Sequence, residues 1–264
     1  MKAIILAAGM GTRLKSLTKN KPKCLLGFYG VSLLSSQLAN FFSLKVRKII
    51  IICGYRFKLL KKFNTQLVIN KNYRTTNMLW SLFCAKNEFN ESLIISYGDI
   101  AYSKENLKKI LNSKGDICVA YDTKWKVYWS KRFKKPLKDL ESFKIRKNNT
   151  IAEIGNKVNS FKEIDGQYIG LIKFSKKGIK KAQKVYFSIL NGNKKINNKK
   201  IKKAFITDFI QELINRGIEI KGVPIHGGWL EIDTPNDLNL KYNEKTFQKI
   251  IRKNTFMNDL IKLV

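Results

Sequence analysis

The stretch AIILAAGMGTRL, residues 3–14, constrains this chain more than any other. Ala3 to Leu6 is an uncharged apolar run and reads as a buried strand. Ala7, Ala8, Gly9, Met10, Gly11, Thr12 and Arg13 then make a turn of small residues and glycines. Such a turn lets backbone N–H groups approach a ligand closely, and a ring of these groups cradles phosphate. Arg13 and, further on, Lys23 add fixed positive charge beside it. No Gly-Lys-Ser/Thr follows the turn, so this is not the lysine-serine phosphate loop. Gly9-Met10-Gly11 lacks the third glycine of a dinucleotide fingerprint.

The pattern downstream of the turn argues for an α/β fold. Val31 to Leu44 has helical apolar spacing, Val46 to Cys53 is a continuous strand, Phe57 to Phe63 a short basic helix and Gln66 to Ile69 a short strand. This β-α-β-α-β alternation predicts a parallel sheet with helices on both faces. Ser92 to Tyr97 is another buried strand, ending in Gly98 and Asp99. A carboxylate just past a central strand sits where open α/β sheets bind ligands, and a carboxylate there suits a divalent cation. Asp99 is therefore a candidate metal ligand; the alternative is a turn aspartate capping a helix that starts near Lys104. Glu141 to Arg146 and Thr150 to Ile154 alternate as a hairpin. Lys176 to Leu190 reads as a helix, and the Asn/Lys tract 191–203 as a mobile loop. Thr207-Asp208 is expected to cap a helix over Phe209 to Arg216, with a strand from Ile218 to Val223 after it.

At 264 residues and 44% hydrophobic content, one α/β domain over 1–264 is the simplest count. It includes a small insertion around 122–170 and a helical C-terminal segment over 235–264. The last twenty residues are expected to pack on the domain or on another subunit, so a homo-oligomer stays open. The net charge of +33 invites a nucleic-acid or membrane reading. The lysines are spread through the chain, however, and no basic arm or reading motif accompanies them, so neither partner is expected. No apolar run reaches spanning length and the N-terminus has no signal-peptide pattern, which predicts a cytoplasmic protein. The cysteines at 24, 53, 84 and 118 are too scattered for a zinc site, and buried free thiols are expected. His226 is the only histidine, which excludes a histidine-based metal cluster.

L-A-A-G-x-G-T-R-L followed by Pro22-Lys23-x-Leu25 resembles the signature of the sugar-nucleotide pyrophosphorylases, the nucleotidyltransferase superfamily. The resemblance implies a Rossmann-like fold: a mixed, mostly parallel central sheet with helices on both faces. It implies that Leu6, Ala7, Ala8, Gly9, Gly11, Thr12, Arg13, Lys23 and Gly98 surround a nucleoside triphosphate. Arg13, Lys23 and Asp99 would then carry catalysis. Tyr73-x-x-x-Asn77-x-x-x-Ser81-Leu82 resembles the phosphocholine cytidylyltransferase-like branch. Asn77 and Ser81 are a nucleotide and acceptor lining on that reading, and a helix cap and a surface serine on the residues alone.

The same branch is echoed by Asp122-x-x-Trp125…Trp129-x-x-Arg132-x-x-x-Pro136-Leu137-x-Asp139-x-Glu141. Trp125 and Trp129 share one helical face and either pack internally or wall an acceptor pocket that attracts an ammonium. Arg132 is a candidate for an anionic acceptor group. Gln167, Tyr168, Gly170 and Asp208 are carried to the acceptor side by the same resemblance. Trp229-x-Glu231-Ile232-Asp233-Thr234-Pro235 is similar to the family's second metal element. Strand geometry puts Glu231 and Asp233 on one face, Asp233 as ligand and Glu231 in support. Asp237 belongs to the first turn of the next helix.

The resemblance implies Mg²⁺, with CTP favoured and a small phosphorylated or phosphonate acceptor, phosphocholine-like or aminoalkyl. The alternatives are a sugar-1-phosphate nucleotidyltransferase using UTP, dTTP or GTP, and a basic binding protein on a retired catalytic scaffold.

Overall fold

A computed structural model describes residues 1–253 of the chain. Its frame is a seven-stranded sheet. In chain order the strands are β1 (Lys2–Ala7), β2 (Lys48–Cys53), β3 (Gln66–Ile69), β4 (Leu93–Tyr97), β5 (Ile117–Asp122), β6 (Gln167–Phe174) and β7 (Lys221–Ile225). In space they run β7-β5-β6-β4-β1-β2-β3. β1 lies between β4 and β2, parallel to both, with Leu6 opposite Tyr97 and Ala7 opposite Cys53. β6 alone runs antiparallel to its neighbours, so the sheet is mixed and mostly parallel.

β1 and β2 carry no exposed apolar face because both sides of the sheet are covered. Ala3, Ile5 and Ala7 face a core shared with α1 (Leu33–Ser43), α3 (Lys104–Leu111), α4 (Trp125–Arg132) and α8 (Lys241–Arg252). Ile4 and Leu6 face the other core, built on α2 (Met78–Cys84), α5 (Lys176–Asn191) and α6 (Ile206–Asn215). Ile4 and Ile5 are wholly buried, and each such side chain contributes about 1.5–3 kcal/mol. Among the described residues no helix is long and apolar enough to cross a membrane. Cys24, Cys53 and Cys118 are buried free thiols and Cys84 is half-buried.

Two expected elements differ. The Asn/Lys tract is ordered: Lys195–Ile196 and Lys199–Lys200 pair as a hairpin, and Ile196 and Ile201 are buried. Asn197 and Asn198 supply the turn, with φ of 46° and 59°. An Asn-Asn pair tolerates this left-handed backbone and closes a two-residue hairpin, a signal masked by the polar composition. The helix expected from Phe209 begins at Ile206. Asp208 lies inside its first turn, and its carboxylate accepts the Phe205 N–H at 2.8 Å. At the C-terminus, α7 (Pro235–Asn239) and α8 are helical as expected, while 254–264 lie outside the described residues.

Candidate active site

β1 delivers the chain to the glycine turn at the carboxyl end of the sheet, where such folds bind ligands. Gly11 has φ of 63°, a left-handed backbone that favours glycine. Its carbonyl accepts from Leu14 N and from the Thr18 hydroxyl, both at 2.9 Å. The turn is thereby locked, and Leu14 is wholly buried beneath it. A side chain at Gly9 would meet nothing within 4 Å, so that stretch of backbone fronts open space.

The next strand brings the acid. Gly98 N donates to Leu6 O at 2.9 Å, and a Cβ at Gly98 would lie 2.7 Å from that oxygen. Only glycine lets the end of β4 close onto β1 and present Asp99 beside the turn. The Tyr97–Ile100 corner is held from below by Gln37 of α1. Its Nε2 donates to Tyr97 O and Ile100 O at 2.9 and 2.7 Å, and its Oε1 accepts from the Ser96 hydroxyl at 2.8 Å. Asp99 caps no helix, because Ser103 caps α3.

The short strand Trp229–Glu231 pairs antiparallel with Ile100–Tyr102, and Ile232 N donates to Asp99 O at 3.0 Å. This pairing brings two acids more than 130 positions downstream next to Asp99. Carboxylate oxygens of Asp99, Glu231 and Asp233 all lie within 4.8 Å of one another. Asp237 fixes the turn after them by accepting from Asp233 N and Thr234 N at 2.9 and 2.8 Å.

Lys23 reaches into this cluster. Its ammonium donates to Asp99 Oδ2 at 2.7 Å and also to Asp233. Arg13, largely exposed, donates to Asp233 at 3.0 Å. Burial alone would lower the Lys23 pKa, but Asp99, Asp233 and Glu231 outweigh it and hold the ammonium charged. Burial would raise Asp233, yet Lys23 foremost, then a hydrogen bond from Glu231 and the charge of Arg13, keep it well below the usual carboxylate range. Glu231 goes the other way, pushed well up by burial and by Asp233 despite Arg132. The residues present fit a divalent cation: Asp99 Oδ1 is buried with no hydrogen-bond partner. A hard cation favours oxygen ligands such as these.

Leu6, Ala7, Gly9, Gly11, Thr12, Arg13, Lys23 and Gly98 border one cavity together with Asp99 and Asp233. Ala8 lies behind it, buried, its carbonyl accepting from Tyr55 N. A second cavity adjoins the first across Arg13, Asp99 and Asp233 and is lined by Trp129, Gln167, Tyr168 and Gly170. Gly170, with φ of 87°, sits at the irregularity between β6 and β5. A Cβ there would lie 2.9 Å from Tyr97.

Five expected site residues are placed elsewhere. Asn77 caps α2, accepting from Met78 N at 2.8 Å, and Ser81 is buried and hydrogen-bonded to Asn70. The helix-cap reading holds for Asn77, and Met78 takes the cavity-wall position instead. Trp125 is buried against Phe161, because helical spacing turned its ring to the core. Arg132 is spent internally: it donates to Glu231 at 2.9 Å and to Asp237 at 2.9 Å, and its side chain is fully buried. It holds the acid cluster in shape and offers nothing to an acceptor. Asp208 is tied to Lys199, Asn197 and Phe205 N away from both cavities. Gln37, Met78, Glu141, Phe205 and Thr207 were missed. Of these, Glu141 stands in the quoted branch string without a role assigned to it, and Gln37 leaves a signal as a polar residue, with Ser36 and Asn40, on the buried side of α1.

The glycine turn, Lys23 and three acids share one cleft. The chain belongs to the MobA-like NTP transferase family, whose domain profile matches residues 3–153. It is 36% identical over 252 residues to a CTP:phosphoglutamine cytidylyltransferase of Campylobacter jejuni, spanning 91% of this chain and 99% of that one. A choline-phosphate cytidylyltransferase of Streptococcus pneumoniae is 41% identical over 99 residues, 36% of this chain and 43% of the relative. The fold matches an inositol-1-phosphate CTP transferase of T. maritima with a TM-score of 0.73, over 96% of each chain at 20% identity. The chain is a nucleotidyltransferase.

Proposed function

We propose that this enzyme transfers CMP from CTP to a small phosphorylated acceptor, phosphoglutamine or a close chemical relative, and releases pyrophosphate. The observation that carries the reading is the meeting of Lys23, Asp99 and Asp233 beside the glycine turn. The end-to-end similarity to a cytidylyltransferase supports CTP as the nucleotide.

The acceptor's phosphoryl oxygen forms a bond to the α-phosphorus while the bond to pyrophosphate breaks. No general base is needed, because the attacking group is already ionised. The chain's own work is positioning and charge neutralisation. Amides of the Gly9–Thr12 turn and Arg13 take the β and γ phosphates. Lys23, kept charged by its acidic neighbours, meets the charge that develops at the α-phosphate. Asp99 and Asp233 would hold Mg²⁺ with Glu231 in support, and the ion would supply charge neutralisation across the phosphates. Gln37 and Arg132 act one step back, fixing Asp99 and Glu231.

The test is pyrophosphate release from CTP, UTP, GTP, ATP and dTTP in turn, with phosphoglutamine and Mg²⁺. CTP should exceed the others by tenfold or more. Equal use of another nucleotide with a hexose 1-phosphate would replace this reading.

A further inference from the structure

We propose that Glu141, with Asp139 beside it, docks a primary ammonium on the acceptor, so that the enzyme selects acceptors carrying an N–H cation as well as a phosphoryl group. The proposal rests on the transfer reading above and adds the chemical feature the acceptor must have.

The charge of the second cavity is the starting point. The chain has 52 lysines and arginines against 19 acids, yet five acids and one basic residue line this cavity. Three of the acids are Asp99, Glu231 and Asp233, already engaged by Lys23, Arg13 and Arg132. The basic residue is Arg13, itself paired with Asp233. Asp139 and Glu141 remain. Asp139 accepts the Trp129 indole N–H at 3.1 Å through Oδ2, which leaves its other oxygen for a ligand. Glu141 forms no ion pair among the described residues. Excess negative charge on one wall of a cleft in so basic a protein selects a cation.

A second observation points to a hydrogen-bonding ligand. The Tyr168 hydroxyl, in the same wall, is buried, and its neighbour is the Tyr97 hydroxyl, outside good hydrogen-bond geometry. A buried hydroxyl so weakly paired has capacity for a ligand. Glu141 is an exposed residue whose carboxyl is partly desolvated by the cavity wall it lines, which pushes it up to about 7 against a Thr207 hydrogen bond and the charge of Lys199, with Asp208 and Asp139 adding to the rise. A bound cation relieves that penalty.

Recognition of a quaternary ammonium is the competing design, since Tyr97, Trp129, Phe143, Tyr168, Phe205 and Trp229 also line this cavity; two tryptophans are nonetheless withdrawn from such a cage. Trp125 faces the core rather than the cavity. The Trp129 ring is covered by the Arg132 guanidinium, 5.6 Å from its centroid. An N–H cation satisfies carboxylate and hydroxyl acceptors directly, which a fully methylated one cannot do.

The experiment compares phosphoglutamine, phosphoethanolamine, phosphocholine and ethyl phosphate as acceptors with CTP and Mg²⁺. In the natural enzyme kcat/KM for the two primary-ammonium acceptors should exceed that for the other two by at least tenfold. Glu141→Gln should collapse this ratio toward one by raising KM for the ammonium acceptors. Asp139→Asn should weaken it in the same direction, and melting curves establish that both variants are folded. A natural enzyme that prefers phosphocholine or ethyl phosphate, or a ratio that survives Glu141→Gln, overturns the proposal. If no acceptor releases pyrophosphate, the transfer reading fails. Calorimetric binding of phosphoethanolamine to the protein with Mg²⁺ and a non-hydrolysable CTP analogue then decides the docking alone. Binding lost in Glu141→Gln supports it, and no binding, or equal binding, ends it.

Discussion

The two cavities of the cleft are built in opposite ways. The one assigned to the nucleotide in the proposed function is made of backbone: a turn pinned by Gly11 and strand ends pressed together at Gly98, with Arg13 and Lys23 in its wall. The acceptor side is made of side chains drawn from separate segments, among them Trp129, Glu141, Tyr168 and Thr207, and its charge is negative. Asp99, Arg13 and Asp233 belong to both. Under the proposed function, a common, highly charged substrate would be met by fixed geometry, and the variable partner by interchangeable groups on the opposite wall.

The sharpest test of this division is to remove a shared residue. Asp99→Ala should lower kcat/KM by on the order of 10³, with CTP and acceptor equally unproductive. Circular dichroism should show the fold intact. Natural turnover in that variant would dissolve the link between the two sides. Arg132→Ala comes next, and its effect should fall on stability. Removing this buried guanidinium strands Glu231 and Asp237, which costs about 3–5 kcal/mol and lowers the melting temperature. A stable variant with a raised acceptor KM would move Arg132 back to the acceptor side, where its place in the sequence suggested it belongs.

Lys23→Ala should separate chemistry from binding. We expect kcat to fall about 10²-fold while the CTP dissociation constant changes much less, since the turn amides remain. A change confined to CTP affinity would make Lys23 part of the binding frame only. Rapid-quench single turnover alongside CTP titration distinguishes the two.

The same contrast explains what could be read from the sequence. The β-α alternation, the glycine turn, Asp99 at a strand end and Asp233 after Trp229 were all legible. Each is a short contiguous pattern whose geometry follows from backbone rules. That Asp99 and Asp233 meet depends on the pairing of Trp229–Glu231 with Ile100–Tyr102, which only the family resemblance anticipated. The acceptor side was the least legible. Trp125 and Arg132 have suitable chemistry, but α4 turns both inward, and a periodicity shared by a core face and a pocket face cannot tell them apart. Asp208 was misplaced because its helix starts at Ile206, three residues before the expected onset. Glu141 begins a hairpin strand, where nothing local marks the side it faces.

The smallest expected effect probes Glu141 in the absence of any substrate. Its carboxyl ordinarily titrates at 4.5 and is pushed up to about 7 here, chiefly by partial desolvation against the cavity wall. A carboxylic acid with a raised folded value binds its proton more tightly when folded, so its contribution is present below pH 4.5 and is lost as pH rises toward 7. Glu141→Gln removes that titration. The variant should therefore gain stability relative to the natural protein between pH 5 and pH 8. Glu141 is solvent-accessible, so screening keeps the gain below about 1 kcal/mol, a few degrees at most in melting temperature. Phosphoethanolamine should reverse the sign at pH 8, because the ionised carboxylate of the natural protein then has its cation. A melting difference that stays flat from pH 5 to pH 8 would put this carboxyl in bulk water. The acidic wall would then have one member fewer, and the charge contrast between the two sides would rest on Asp139 alone.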